Sequence, residues 1–290
     1  MAARNDNDGS SENLPVLVHT SPLLHQNEDA VKENQALVIL NSPIHCPPSP
    51  LFQQLWEASS VRVCADGGAN RLYKASQDLI PNLIRGDLDS LDPSVRAYYE
   101  SKGVSIERDP DQDSNDLDKA LTALVTSLNN NSNNHNEKGG GGGYTRVIIF
   151  GAFGGRFDQE MAAIQALYKW SPRFQYRLVL FDDMTSAFLL PANVKNEIRL
   201  PHFGDKKKVE NGSNKKTIGE GPTCGLIPIG CKCDSVVTTG FKWDLDGSIP
   251  LEFGGLVSTS NHVSEPVVTV QSSHPLIFTA EVYAGLEGLF

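Results

Sequence analysis

The sequence predicts an α/β N-terminal domain with a mainly parallel sheet, followed by an all-β sandwich C-terminal domain. Three observations carry this. Short apolar runs alternate with amphipathic helical stretches as far as residue 184, the pattern of a parallel sheet wrapped by helices. Beyond residue 185 the helical periodicity stops, and short strand-like runs divided by Gly and Pro take over. The chain has 290 residues, 39% of them hydrophobic, which suggests two domains or one large one with a proper core.

Residues 1–33 are polar and predict a loose tail, with no apolar leader and too many acids for a transit peptide. The α/β domain then spans 34–184 and opens on "QALVILN" (35–41), a short apolar run typical of a buried parallel strand. "SPLFQQLWEAS" (49–59) reads as a helix with Pro50 in its first turn. "VRVCADGGANRLY" is a strand that breaks on Gly67-Gly68 and passes into a helix. "PNLIRGDLDSL" is a strand ending at paired aspartates. In "DPSVRAYYESKG", Asp92 caps a helix, Pro93 begins it and Gly103 stops it. "GVSIERDPDQDS" is a strand running into an acidic loop. Leu117, Leu121, Leu124, Val125 and Leu128 then recur at helical spacing, with Ser114 or Asn115 as cap and Asp116 in the first turn. Residues 129–143, Asn- and Gly-rich, can bury nothing and predict a disordered insertion. "TRVIIFGAFGGRFDQEMAAIQALYKW" resumes with strand, glycine loop and helix, and "QYRLVLFDD" supplies another strand. In the β domain, 185–290, strands are expected in "GLIPIG", "SVVTTG", "LEFGGLVSTSN", "PVVTVQ" and "LIFTAEVY", with a flexible Lys-rich loop at 204–221.

Composition narrows the function. A net charge of −10 and a pI near 5.2 argue against a duplex-binding surface, which needs a Lys/Arg stripe. No apolar run is long enough to span a membrane. The five cysteines have no disulfide-framework spacing, and Cys224, Cys231 and Cys233 lack a CxxC pair, so they read as buried free thiols rather than a zinc site. These features fit a protein of the cytosol.

The informative residues are acidic. Asp66, Asp87, Asp89, Asp113 and Asp116 all fall just after predicted strands, and ligands of parallel sheets sit at the carboxyl ends of strands. Like charges gathered on one rim point to a cation, and Mg²⁺ takes hard oxygen ligands and bridges them to substrate phosphates, although "DPDQDSND" by itself reads as an exposed acidic loop with no ligand. Asp87 and Asp89 lie in apolar surroundings, and alternation places both on one side of a strand end, within reach of one ion. "GAFGGRFDQ" (151–159) opens a helix as a phosphate cradle does, though it is neither a Walker A loop nor a dinucleotide fingerprint. Arg156 within it can pair with a phosphate. Trp243 offers an indole face to an organic cation, or is an ordinary strand tryptophan.

Taken in order, "CADGGANRLY" (64–73), "GDLDS" (86–90), "PDQDSND" (110–116), "GGRFDQ" (154–159), "GLIPIG" (225–230), "TTGFKW" (238–243) and "LVSTSN" (256–261) resemble the thiamine pyrophosphokinase family of eukaryotic type. The resemblance runs from about residue 35 to 285, apart from the two insertions. It implies an ATP-binding α/β domain and a thiamine-binding β-sandwich. It implies transfer of a diphosphate group from ATP, as co-substrate, to the hydroxyethyl oxygen of thiamine, with AMP released. Asp87, Asp89 and Asp116 would hold Mg²⁺. Asp66, Gln112, Asn115, Arg156, Asp158 and Gln159 would line the nucleotide and diphosphate site. Trp243 and Ser260 would contact thiamine, with Asn261 beside them. Asp113 and Asp66 are the candidate bases. A homodimer with active sites between subunits is also implied, although these residues are equally compatible with a site inside one chain. Two other readings are a dehalogenase-like phosphohydrolase using "DLDS", for which "CADGG" lies on the wrong side, and a non-catalytic sensor, against which the intact aspartate set argues.

Overall fold

The computed structural model describes residues 14–24, 34–132, 144, 146–201 and 218–285. In chain order the elements are β1 (Val16–Thr20), β2 (Gln35–Ile39), α1 (Pro50–Ala58), β3 (Ser59–Ala65), α2 (Gly68–Ala75), β4 (Leu83–Gly86) and α3 (Pro93–Ser101). There follow β5 (Ser105–Arg108), α4 (Asp116–Ser132), β6 (Arg146–Phe150), α5 (Phe157–Trp170) and β7 (Leu178–Phe181). The remainder is strand: β8 (Thr185–Leu190), β9 (Lys195–Arg199), β10 (Ile218–Ile227), β11 (Val236–Thr239), β12 (Ser258–His262), β13 (Val268–Ser272) and β14 (Leu276–Ala284).

Local chemistry sets the helix starts. Ser49 Oγ accepts from the Phe52 amide at 3.0 Å and Pro50 opens α1. Asp92 accepts from the Ser94 amide at 2.8 Å ahead of Pro93, and α3 gives way to Gly103 at φ +78°. Asn115 Oδ1 accepts from the Asp118 amide at 2.8 Å and caps α4. Further along α4, Asp118 is buried but satisfied, accepting from Trp170 Nε1 at 2.5 Å and Lys169 Nζ at 2.9 Å, which ties α4 to α5.

The main sheet has ten strands in the order β12-β10-β14-β8-β7-β6-β2-β3-β4-β5. The six from β7 to β5 are parallel, and β8, β14, β10 and β12 join antiparallel. The central strands β2 and β6 are buried along their whole length, as their apolar runs require. One face carries α1, α2 and α3 through Phe52, Leu72 and Tyr99. The other carries α4 and α5 through Leu121, Leu124 and Leu167. A second sheet, β1-β9-β13-β11, places Ile198, Val268 and Val270 in the same core cluster as Phe188 and Phe278 of the main sheet, which makes the sandwich. Chain order reverses at β2, with β3 on one side and β6 on the other. The crevice at such a reversal is where ligands of open α/β sheets bind.

Four expectations change. The segment 1–33 is not loose throughout, because β1 pairs in parallel with β9 from Val16–Lys195 to Thr20–Arg199, and His19 is buried. The boundary at 184/185 falls inside the main sheet, because β7 and β8 on either side of it are paired neighbours. Helix α4 takes in the first four residues of the insertion predicted at 129–143, and strand β10 takes in 218–221 of the loop predicted at 204–221. The rest of both segments lies outside the described residues. Cys224 and Cys233 are buried free thiols, but Cys231 is exposed.

Candidate active site

Three carboxylates meet at the carboxyl ends of the parallel strands. Asp66 follows β3 at φ +40°, Asp87 follows β4, and Asp116 opens α4. One ligand oxygen from each lies within 4.8 Å of the others. Gly86 makes this closeness possible. A Cβ there would stand 2.6 Å from Asp66 Cβ and 3.0 Å from Asp116 Oδ1. Gly68 serves the neighbouring turn in the same way, since its Cβ would meet the Ile39 carbonyl oxygen at 2.3 Å.

The electrostatics of the trio are unfavourable on their own. Asp66 is 1% exposed, and its Oδ1 is buried with no hydrogen-bond partner. Its Oδ2 accepts from the Ser90 amide at 3.2 Å. Burial pushes the Asp66 carboxyl up to about 6; the charges of Asp116 and Asp87 add to the rise and the Ser90 amide opposes it. Burial also raises Asp116, with Asp87 adding and Lys119 opposing. An orphaned buried carboxylate oxygen, beside two more hard oxygen donors, is the donor chemistry of a divalent ion such as Mg²⁺. The residues present therefore fit that ion.

The composition of the trio differs from the predicted Asp87–Asp89–Asp116 set. The alternation argument fails because β4 ends at Gly86 and Leu88 turns to φ +65°. Asp89 is exposed, and its Oδ1 accepts from Ser90 Oγ at 2.9 Å. Its charge still reaches Asp116 and raises it. Asp66, expected to line the nucleotide site or act as base, takes the third place in the cluster.

Lys119, which no motif of the sequence marks, stands beside the trio. It lies three residues after Asp116, on the same helix face, and is only 3% exposed. Its Nζ stands 3.8 Å from Asp116 Oδ1 and 3.9 Å from Asp87 Oδ2. The available signal was a lysine set among Leu117, Ala120 and Leu121, all buried.

The remaining predicted residues surround this centre or lie far from it. Gln112 and Asp113 are exposed on the acidic loop, and Asn115 is committed to capping α4. Arg156 is 75% exposed and pairs with Asp158, Nη2 to Oδ2 at 2.5 Å, while Gln159 is exposed beside them. The glycine loop is not an open cradle here. The amides of Gly154 and Gly155 both donate to Glu160 Oε1, at 2.9 and 3.1 Å. Trp243, 54% exposed, has Lys242 Nζ over its ring at 4.5 Å. Asn261 is buried and clamps Trp243 by its backbone, accepting from its amide at 3.3 Å and donating to its carbonyl at 2.9 Å. Ser260 is exposed on β12 at φ +55°. Strand β12 is one edge of the main sheet, and β4, with Asp87 at its end, lies eight strand positions away.

A carboxylate cluster on the carboxyl rim of a parallel sheet is an arrangement that suits phosphoryl-transfer chemistry. Residues 52–180 match the family described as thiamin pyrophosphokinase, catalytic domain, and residues 212–277 match thiamin pyrophosphokinase, vitamin B1 binding domain. Thiamine pyrophosphokinase 1 of Oryza sativa subsp. japonica is 34% identical, over 92% of this chain and 97% of its own. The Saccharomyces cerevisiae thiamine pyrophosphokinase is 31% identical, over 93% and 92%. Among solved structures, yeast thiamin pyrophosphokinase superposes with a TM-score of 0.72 at 29% identity, covering 93% of this chain and 92% of that one. The chain belongs to the thiamine pyrophosphokinase family and is an enzyme of it.

Proposed function

We propose that this chain transfers the diphosphate group of ATP to the hydroxyethyl oxygen of thiamine, giving thiamine diphosphate and AMP. The observation that carries this is the cluster of Asp66, Asp87 and Asp116, with its orphaned Asp66 oxygen, on the rim of the parallel sheet in a chain of this family. These three residues would hold Mg²⁺, with Asp89 at the exposed edge. When bound, the ion supplies positive charge to the phosphate oxygens on which the transfer builds up negative charge.

The chain's own groups do the rest. Arg156 reaches solvent beside the glycine loop and can turn from Asp158 to a phosphate. Asp158 and Gln159 beside it, and Gln112 on the acidic loop after β5, are exposed for the nucleotide and diphosphate. Asp113 is exposed on the rim and is the better placed of the two candidate bases, because Asp66 is buried among the ligands. The thiazolium of thiamine is a permanent cation, suited to the indole face of Trp243 and to an acidic rim. Ser260 and Asn261 would complete that pocket, Asn261 by fixing the Trp243 backbone.

The sheet topology supports a homodimer. Ser260 on β12 and Asp87 after β4 are eight strand steps apart in one open sheet, or about 38 Å at about 4.8 Å per step. That span favours a site in which Ser260 of one chain and Asp87 of another each give one half. The free cysteines support a reducing compartment, the cytosol. Among the described residues no helix is long and apolar enough to cross a membrane.

The test is purified protein with ATP, Mg²⁺ and thiamine, followed by chromatography of nucleotides and thiamine species. AMP and thiamine diphosphate in equal amounts are expected. ADP with thiamine monophosphate would overturn the leaving group, and thiamine binding without any product would point to a sensor.

A further inference from the structure

Lys119 has an unusual placement. An ammonium removed from water is costly unless it is paired, and this one is almost fully buried. Yet its contacts with Asp116 and Asp87, at 3.8 and 3.9 Å, lie within ion-pair range and beyond hydrogen-bond range. The amine therefore balances charge without occupying the carboxylate lone pairs. Those oxygens stay available while their repulsion is offset. The nearby Asp66 oxygen, buried and unpartnered, points to a further cation in the same place.

We propose that Lys119 is a positioning residue. In the unliganded chain its ammonium holds Asp87 and Asp116 together, and by opposing the charge of an incoming divalent ion it weakens and so sets that ion's affinity. This rests on the reading that the aspartates hold such an ion. It adds a residue whose removal has a sign opposite to that of a ligand: losing Lys119 should tighten metal binding, whereas losing an aspartate should weaken it. The metal-free protein should pay for the loss, because three carboxylates within 4.8 Å then face one another unbalanced.

The experiment is Mn²⁺ binding to the full chain without nucleotide, read from the resonance signal of free Mn²⁺, together with metal-free melting. Lys119→Met should bind Mn²⁺ at least about tenfold more tightly than wild type, melt at a lower temperature without metal, and gain more on adding Mn²⁺. Equal or weaker Mn²⁺ binding by Lys119→Met overturns the proposal. Should that variant not fold without metal, Lys119→Met with Asp116→Asn removes the charge and one partner together. Wild-type-like melting of the double variant supports the proposal; continued failure to fold overturns it. Asp87→Asn is the control for the underlying reading. If it binds Mn²⁺ as wild type does, the metal assignment fails, whatever Lys119→Met shows.

Discussion

The carboxylate cluster and the Trp243–Ser260 edge stand at opposite ends of one sheet and are built in opposite ways. At the cluster, Asp66 and Lys119 are buried beside half-buried Asp87 and Asp116, Gly86 leaves no room for a Cβ, and the lysine balances the aspartates. At the edge, Trp243 and Ser260 are exposed, and Asn261 beside them is buried. A buried, charged centre is assembled by one chain and stores unfavourable electrostatics until its ligands arrive. An exposed aromatic edge stores no such energy. Substitutions should follow that difference. Those in the cluster should change chemistry and stability in opposite directions, and those at the edge should change binding alone.

The largest effect is expected at Asp87. Asp87→Asn keeps the shape and removes one of three mutually repelling charges. Turnover should fall by about 10²–10³-fold. The metal-free melting temperature should hold or rise. Near-normal turnover would remove Asp87 from the machinery, and a collapse of melting would mean that its role is structural.

Next in size is a pH effect centred on Asp66. Its folded pKa, pushed up to about 6 by burial, exceeds the unfolded carboxylate value. Between those two values the folded state binds more protons, so metal-free stability should fall as pH rises from about 4 to about 6 and then level off. Asp66→Asn should flatten that slope in chelator and raise stability above pH 6. Denaturant melts across this range check it, and an unchanged slope would place the penalty elsewhere.

Much of the first region was legible in the sequence because its signals are local. Ser49, Asp92, Pro50 and Pro93 mark helix starts within a few residues, and "QALVI" needs no partner to read as a buried strand. The failures are all non-local or conformational. Strand β1 is held by residues more than half the chain away, and β9, "KNEIR", buries only Asn196 and Ile198 and so resembles a loop. Asp89 was placed beside Asp87 by strand alternation, which the positive φ of Leu88 breaks. Asp66 is legible as one of the rim aspartates, but its contact with Asp87 and Asp116, and the place of Lys119 beside them, come from close packing around Gly86 and the first turn of α4, which no spacing rule encodes. The order of the strands, which separates β12 from β4, was equally invisible, and it is what bears on the choice between one chain and two.

That separation leads to the smallest effect and the sharpest use of the comparison. Trp243→Ala removes an exposed side chain, so melting should not change. Loss of its cation–π contact should raise the thiamine KM about tenfold and leave that for ATP unchanged. Mixing then separates the two arrangements. Asp87→Asn lacks the cluster and Trp243→Ala lacks the edge, and each is nearly inactive at thiamine far below the variant's KM. If every site takes its cluster from one subunit and its edge from the other, each mixed dimer holds one site with both lesions and one with neither. Dissociating and reassociating equal amounts should then restore about a quarter of wild-type activity, because about half the dimers are mixed and each carries one intact site. If each site lies within one chain, every site in the mixture keeps one lesion and activity stays at the average of the two variants.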